Sequence, residues 1–417
     1  MTGRRIAAAI LVIGALAASL HVTFKAMEAF EGDGYAGSES CRECHEREYG
    51  LWLTGPHTVH FRAATNEVAG SLWAIGRKDV IQYLRAMSGG RLQTMPWSWD
   101  IAKGEWYSTT KSMVRDWIPG DGPIDWRHEA LTFNRACMGC HIAPSWQGYD
   151  PVKRTFSTSW KEPRISCEGC HGPLKRHCAM PHIFRASRLD DESCVACHVK
   201  LYGEAIERQS TDLPEYERRS RAAKDASNIV MLEDFDFTAD GRDLGENYTI
   251  TRWMMRPTAG RKDGPSCLTC HTSSGRTRFK GDANCTSCHS GKSAEVHGHH
   301  PIASKSRPTC VDCHMQKTSF ARISHYDHSF RPPDPRLAVM HGGSSSCSQC
   351  HSRSEAENAE IVEKWFPASP RREKIRREAS LIERARKDDP EVFTEAASYM
   401  VEKDANPVVV ESLKRLL

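Results

Sequence analysis

The sequence predicts a mainly helical chain with extensive coil and few short strands, folded around attachment sites instead of one large apolar core. Three observations lead there. One five-residue pattern, Cys-x-x-Cys-His, occurs eight times; only 39% of the 417 residues are hydrophobic; and 29 glycines and 21 prolines interrupt the periodic segments. A chain of this length ordinarily forms two or three domains with continuous cores. So little apolar side chain implies that something else fills the interior.

The eight copies, numbered here as motifs 1 to 8, are Cys41, Cys44 and His45; Cys137, Cys140 and His141; Cys167, Cys170 and His171; Cys194, Cys197 and His198; Cys267, Cys270 and His271; Cys285, Cys288 and His289; Cys310, Cys313 and His314; and Cys347, Cys350 and His351. They take up sixteen of the seventeen cysteines. Two thiols three positions apart can add to the two vinyl groups of one porphyrin, and the histidine that follows can bind its iron. Zinc ribbons need no histidine after the pair, and a disulfide framework does not repeat one spacing eight times. The chain is therefore expected to carry eight covalent haem c groups. The eight motif histidines are their proximal iron ligands, and the macrocycles replace the missing core.

Charge changes meaning once the cofactor is counted. The polypeptide is formally +4, but each ferric haem between neutral imidazoles adds roughly one negative charge, so eight bring the total near about −4. The apparent basicity thus gives no reason to expect a nucleic-acid partner.

At the N-terminus, Arg4 and Arg5 precede an apolar run from Ile6, the order of a secretory signal. Counted through Phe24, the run is just long enough to span a bilayer. A cleaved signal and a retained membrane anchor over residues 6–24 are therefore equal expectations, with Arg4 and Arg5 cytoplasmic in both. Either reading places the chain in the periplasm or otherwise outside the cytoplasm, the extracellular side included.

The expected order is a signal or anchor (1–24), a haem-bearing domain (25–351) and a small HEAT-like helical tail (352–417). Motif 1 leads into a helix-compatible stretch, EREYGLWLTGPHTVHF, carrying His57 and His60. The long gap before motif 2 is rich in tryptophan and turn residues and reads as short strands packed against porphyrin faces, with His128 near its end. Motifs 2, 3 and 4 start 30 and 27 residues apart, too close for separate domains, so their haems share surroundings. His177 and His182 lie there, as does Cys178, the cysteine outside every motif, which reads as a small buried hydrophobe. Residues 199–266 are charged and read as a surface excursion. Between motifs 6 and 7, VHGHH supplies His297, His299 and His300; an extended Pro-ended segment then carries His325 and His328, and His341 precedes motif 8. Past His351, apolar residues recur at helical spacing and prolines punctuate them.

Twenty histidines less eight in motifs leave twelve, of which His21 falls in the N-terminal run. The eleven others are all candidate distal ligands: His57, His60, His128, His177, His182, His297, His299, His300, His325, His328 and His341. Eight haems need at most eight, so histidine suffices for every iron to be six-coordinate, a state suited to electron transfer. Spacing does not pair a histidine with an iron.

The motif order, with LWLTGPH after motif 1, RLQTMPWSWD and TFSTSW in the gaps, CEGCHGPLKRH, CVDCHM and DHSF, resembles the multihaem cytochromes related to hydroxylamine oxidoreductase and its tetrahaem electron acceptor. It is most similar to the subgroup with C-terminal tetratricopeptide or HEAT-like helices, and the likeness runs from about Gly37 to the C-terminus. The resemblance implies that His57, His177, His299 or His300, and His328 are distal ligands. It departs from nitrite reductases of that superfamily, whose catalytic haem sits on CxxCK, because every motif here ends in histidine. The function expected is electron relay along closely spaced, mostly bis-histidine haems, with quinol-linked or soluble cytochromes as redox partners. The alternatives are an oxidoreductase acting on hydroxylamine, nitrite or a sulfur oxyanion at one open haem, and a homo-oligomeric subunit of an extracellular cytochrome filament. No catalytic residue is singled out.

Overall fold

The computed structural model describes residues 34–64, 68–246, 248–259, 264–291, 297, 299–300, 308–367 and 369–417. The expected signal or anchor at 1–24 lies outside them. Among the described residues no helix is long and apolar enough to cross a membrane.

The described chain is mostly short helices and coil, as its composition predicts. The gap after motif 1 forms one antiparallel five-stranded meander, β1 (Phe61–Ala63), β2 (Trp73–Ile75), β3 (Val80–Ala86), β4 (Leu92–Asp100) and β5 (Glu105–Ser108), in the order β1-β2-β3-β4-β5. Trp73, Trp99 and Trp106 pack against other aromatic side chains, while Trp97 is exposed. Phe61 stacks on Trp73 and Phe133, and Trp160 meets both Phe61 and Trp73 edge-on. With Ile75, Leu84, Met138 and Ile142 they form a small apolar cluster beside motif 2.

The larger core lies elsewhere. It joins Val230, Met231, Leu232 and Phe237 to the tail residues Leu381, Ile382, Val392, Tyr399, Val408 and Leu413. The tail helices are α1 (Glu355–Trp365), α2 (Pro370–Arg386), α3 (Val392–Met400) and α4 (Pro407–Leu416). Three of their starts are set locally. Ser354 and Glu357 form a capping box on α1, Ser369 caps α2 with proline at its first position, and Asn406 does the same for α4.

The surface excursion expected over 199–266 is corrected here. Leu232 donates its backbone N–H to Ser412 Oγ at 3.0 Å, Arg386 holds the carbonyl oxygens of Leu232 and Phe237, and Arg415 holds those of Ala226 and Ile229. Several charged residues of the segment are themselves buried, Arg218 and Glu215 as an ion pair and also Asp236, Asp243 and Arg252, while Ile229–Leu232 insert between the tail helices. An apolar run of four among charges is a buried plug here, because the tail supplies its other wall.

Candidate haem-binding sites

Each motif folds as one helical turn. The histidine N–H donates to the carbonyl of the first cysteine, at 2.9 Å in motif 1, 3.1 Å in motif 2, 3.0 Å in motif 3 and 2.9 Å in motif 5. One turn brings the two sulfurs to the same side and starts the histidine beneath them, the geometry that a doubly attached porphyrin needs. Capping boxes start three of these turns, from Asp190 for motif 4, Ser266 for motif 5 and Thr309 for motif 7.

Four motif histidines face a second imidazole. The ring centroids are 6.3 Å apart for His45 and His177, 6.3 Å for His271 and His328, 6.0 Å for His314 and His297, and 6.0 Å for His351 and His300. A direct imidazole stack would be closer. These gaps instead hold two metal–nitrogen bonds of about 2 Å each plus half a ring on either side, so the residues fit an iron between them.

Hydrogen bonds aim the rings. Nδ1 lies 2.7 Å from the Phe184 carbonyl in His177, 3.1 Å from that of Arg331 in His314, 2.9 Å from that of Tyr326 in His328, and 3.0 Å from that of Ser187 in His171. A carbonyl only accepts, so Nδ1 carries the proton and Nε2 keeps its lone pair for a metal. Burial keeps such rings neutral, as ligation requires. It pushes His141 down to about 3 and His328 to about 4. His57 falls to about 4, from burial first and then from neighbouring His198, His60 and His271. His57 approaches Gly275 closely, so that a Cβ there would sit 2.9 Å from its Cε1; with φ at +80°, only glycine suits that position.

A second fit comes from orphaned donors. Arg242 Nε, Arg252 Nη1 and Arg331 Nε are buried without a hydrogen-bond partner, and all three arginines line a cavity with Cys313 and His314 of motif 7. Each unmet buried donor costs about 1–3 kcal/mol. Asp240, Asp327 and Asp334 also line the cavity, and Arg252 pairs with Asp327; haem propionates would supply acceptors for the three donor atoms that these leave unmet.

The remaining candidates are placed differently. His60 turns its ring edge to backbone, Nδ1 to Pro56 O at 3.1 Å and Nε2 to His141 O at 3.0 Å, and its centroid is only 5.1 Å from that of His141 at a 55° tilt. That arrangement leaves no gap for a metal. His128 is exposed and caps a short turn, accepting from Ala130 N. His182 is exposed. His299 stacks on Trp365 at 4.6 Å, so of His299 and His300 it is His300 that faces a motif histidine. His325 and His341 are buried, each with Nε2 unpartnered, and His341 Nδ1 bonds to Glu383. Among the described residues, His171, His198 and His289 have no imidazole stacked opposite, and His141 has only His60, at a spacing too short for a metal. Cys178 is half-buried beside Cys41, where a fully buried small hydrophobe was expected, and burial pushes its thiol above the usual range.

The motifs adjoin one another in a definite order. Cysteine thiols, which become thioether sulfurs on haem attachment, lie close enough to perturb one another's ionisation between motifs 1 and 3 (Cys41, Cys167), 4 and 5 (Cys194, Cys267), 6 and 7 (Cys285, Cys310), and 2 and 4 (Cys140, Cys197). At longer electrostatic range, Cys170 meets Cys194, Cys270 meets Cys285, and Cys313 meets Cys347. The attachment sites therefore run 1, 3, 4, 5, 6, 7, 8, with motif 2 beside motif 4.

This architecture has counterparts among solved structures. The outer cell wall cytochrome OcwA superposes with a TM-score of 0.57 at 17% identity, covering 92% of this chain and 99% of that one. The fold is that of a multihaem cytochrome. An undecahaem cytochrome from the S-layer of Carboxydothermus ferrireducens aligns over 92% of this chain and 68% of its own, at 14% identity and a TM-score of 0.45. No family model and no curated protein matches the sequence.

Proposed function

We propose that the protein is an exported octahaem c-type cytochrome that relays electrons, a member of the group related to hydroxylamine oxidoreductase. The unbroken row of attachment sites carries this reading. Each haem, when bound, supplies a one-electron ferric–ferrous couple, and neighbouring haems in a contiguous row exchange electrons. The chain's residues hold that row. Sixteen cysteines would anchor the edges; His45 with His177, His271 with His328, His314 with His297 and His351 with His300 would be the axial pairs; and half-buried His57, whose foremost charge neighbour is His198, would serve the iron of motif 4. Arg242, Arg252 and Arg331 hold propionates beside motif 7. Export is supported by the basic and then apolar N-terminus and by the fold shared with a cytochrome named for the outer cell wall.

One observation favours a second reading. His171, His198 and His289 lack a facing imidazole among the described residues and His141 has none at a metal-compatible spacing, so an oxidoreductase acting on hydroxylamine, nitrite or a sulfur oxyanion at one open haem is the rival. Low-temperature EPR of the oxidised, haem-loaded protein separates them. Low-spin ferric signals indifferent to added hydroxylamine, nitrite or tetrathionate support the relay. A high-spin signal that shifts with one of these compounds overturns the pure relay in favour of the enzyme.

A further inference from the structure

Three of the four motif pairs with neighbouring thiols share one joint. In motifs 1, 4 and 6 the residue three positions before the first cysteine is Ser38, Asp191 and Asp282. Each accepts a hydrogen bond from the backbone N–H of the first cysteine in the partner motif. Ser38 Oγ accepts from Cys167 N at 3.2 Å, Asp191 Oδ1 from Cys267 N at 2.7 Å, and Asp282 Oδ1 from Cys310 N at 2.8 Å. In each case the two first cysteines are also the pair whose thiols perturb one another.

The fourth contact is the control within the same chain. Motifs 2 and 4 meet through their second cysteines, Cys140 and Cys197. The corresponding residue of motif 2, Asn134, bonds instead to Leu92 N, Gly90 O and Thr158 Oγ1, within its own neighbourhood. Arg219 braces motif 4 there through the carbonyls of Ala196 and Val199. First-cysteine proximity and the acceptor three residues upstream thus occur together or not at all in these four pairs.

The N–H groups at the start of a helical turn have no partner within the turn, so the partner motif is bound at one of the backbone donors left open. A bond there fixes the start of one turn against the start of the next, and the cysteine on that residue carries a haem edge. A charged acceptor makes the bond shorter and about twice as strong as a neutral one, in line with the two aspartates lying nearer than the serine. We infer that Ser38, Asp191 and Asp282 are positioning residues that join the attachment sites in pairs and set the separation of the paired haem edges. The inference rests on the relay reading, since it assigns these residues to the coupling between neighbouring haems.

The test uses the full-length, haem-loaded protein and reads magnetic coupling between ferric haems by EPR, with haem content measured on every sample. Asp282→Ala is expected to keep its haems and lose the coupling between the haems of motifs 6 and 7. Asp282→Ser, which copies the joint at Ser38, and Asp282→Asn, which keeps the acceptor oxygen, are expected to retain it. Ser38→Ala removes one hydroxyl and serves if Asp282→Ala fails to load haem; it is expected to lose the coupling of motifs 1 and 3. Unchanged coupling in a fully loaded alanine variant overturns the joint. Absence of coupling in the unaltered protein would instead defeat the relay reading itself.

Discussion

Asp243 offers a prediction with a sign and a size. Its carboxyl is buried, 5% exposed, and accepts backbone N–H bonds from Gly245 at 3.0 Å and Tyr248 at 3.3 Å. Burial outweighs those bonds and the nearby Arg252 and Lys200, pushing its pKa from 3.8 up to about 7. In the unfolded chain the group ionises near its ordinary value, so between about pH 4 and pH 7 the folded state holds a proton that the unfolded state has lost. Stability from this group is therefore full below about pH 4 and is lost as pH rises to about 7. A rise of that size is equivalent to about 4 kcal/mol at most. Asp243→Asn cannot ionise; its single amide oxygen serves the Gly245 donor or the Tyr248 donor but not both, an offset that is the same at every pH. Chemical denaturation of the haem-loaded proteins across pH 4 to 8 should show the unaltered protein losing stability relative to Asp243→Asn over that window, with the difference levelling off above it. Two curves that stay parallel would refute the argument, and a difference growing in the opposite direction would show that charge pairing, not burial, dominates at this carboxyl.

Three further outcomes follow from particular contacts. Glu168 is fully buried and accepts from the backbone of Ala36, Gly37 and Leu174 at 2.9, 2.8 and 2.8 Å; Glu168→Ala strands all three donors and should cost about 4 kcal/mol in a denaturant titration. Leu232, wholly buried between the tail helices, should cost about 3 kcal/mol when cut to alanine, and a loss under about 0.5 kcal/mol, the size of an ordinary surface change, would mean that the tail core is not formed. His328→Ala should convert one low-spin haem to high-spin in the visible and EPR spectra, whereas an unaltered spectrum would remove His328 from the ligand set.

How much of this was legible in the letters depends on distance along the chain. The motif turns are local, so their geometry follows from five residues each, and the meander follows from alternating, turn-bounded segments such as GEWYSTT. Axial partners are not local. His177 faces His45 across more than a hundred residues, and nothing within VHGHH says that His297 and His300 face different motifs. The resemblance pointed to His57, His177 and His328, and it left His299 level with His300, a choice decided by Trp365, which takes His299 as a stacking partner. His60 and His128 were equally plausible from spacing, yet backbone groups engage their ring nitrogens. The run Ile229–Leu232 was the missed signal: four apolar residues in a charged segment are hard to leave in water, and only the tail's position shows what covers them.

The central claim is that all eight motifs carry haem, and intact-mass spectrometry of the denatured protein tests it most directly. Thioether-bound haem stays on the chain when the fold is lost, whereas ligand bonds to iron do not hold it there. The account predicts one species at the mass of the mature chain plus eight haems. A protein purified from a host that attaches haem to other CxxCH cytochromes, yet carrying fewer than eight, would contradict it.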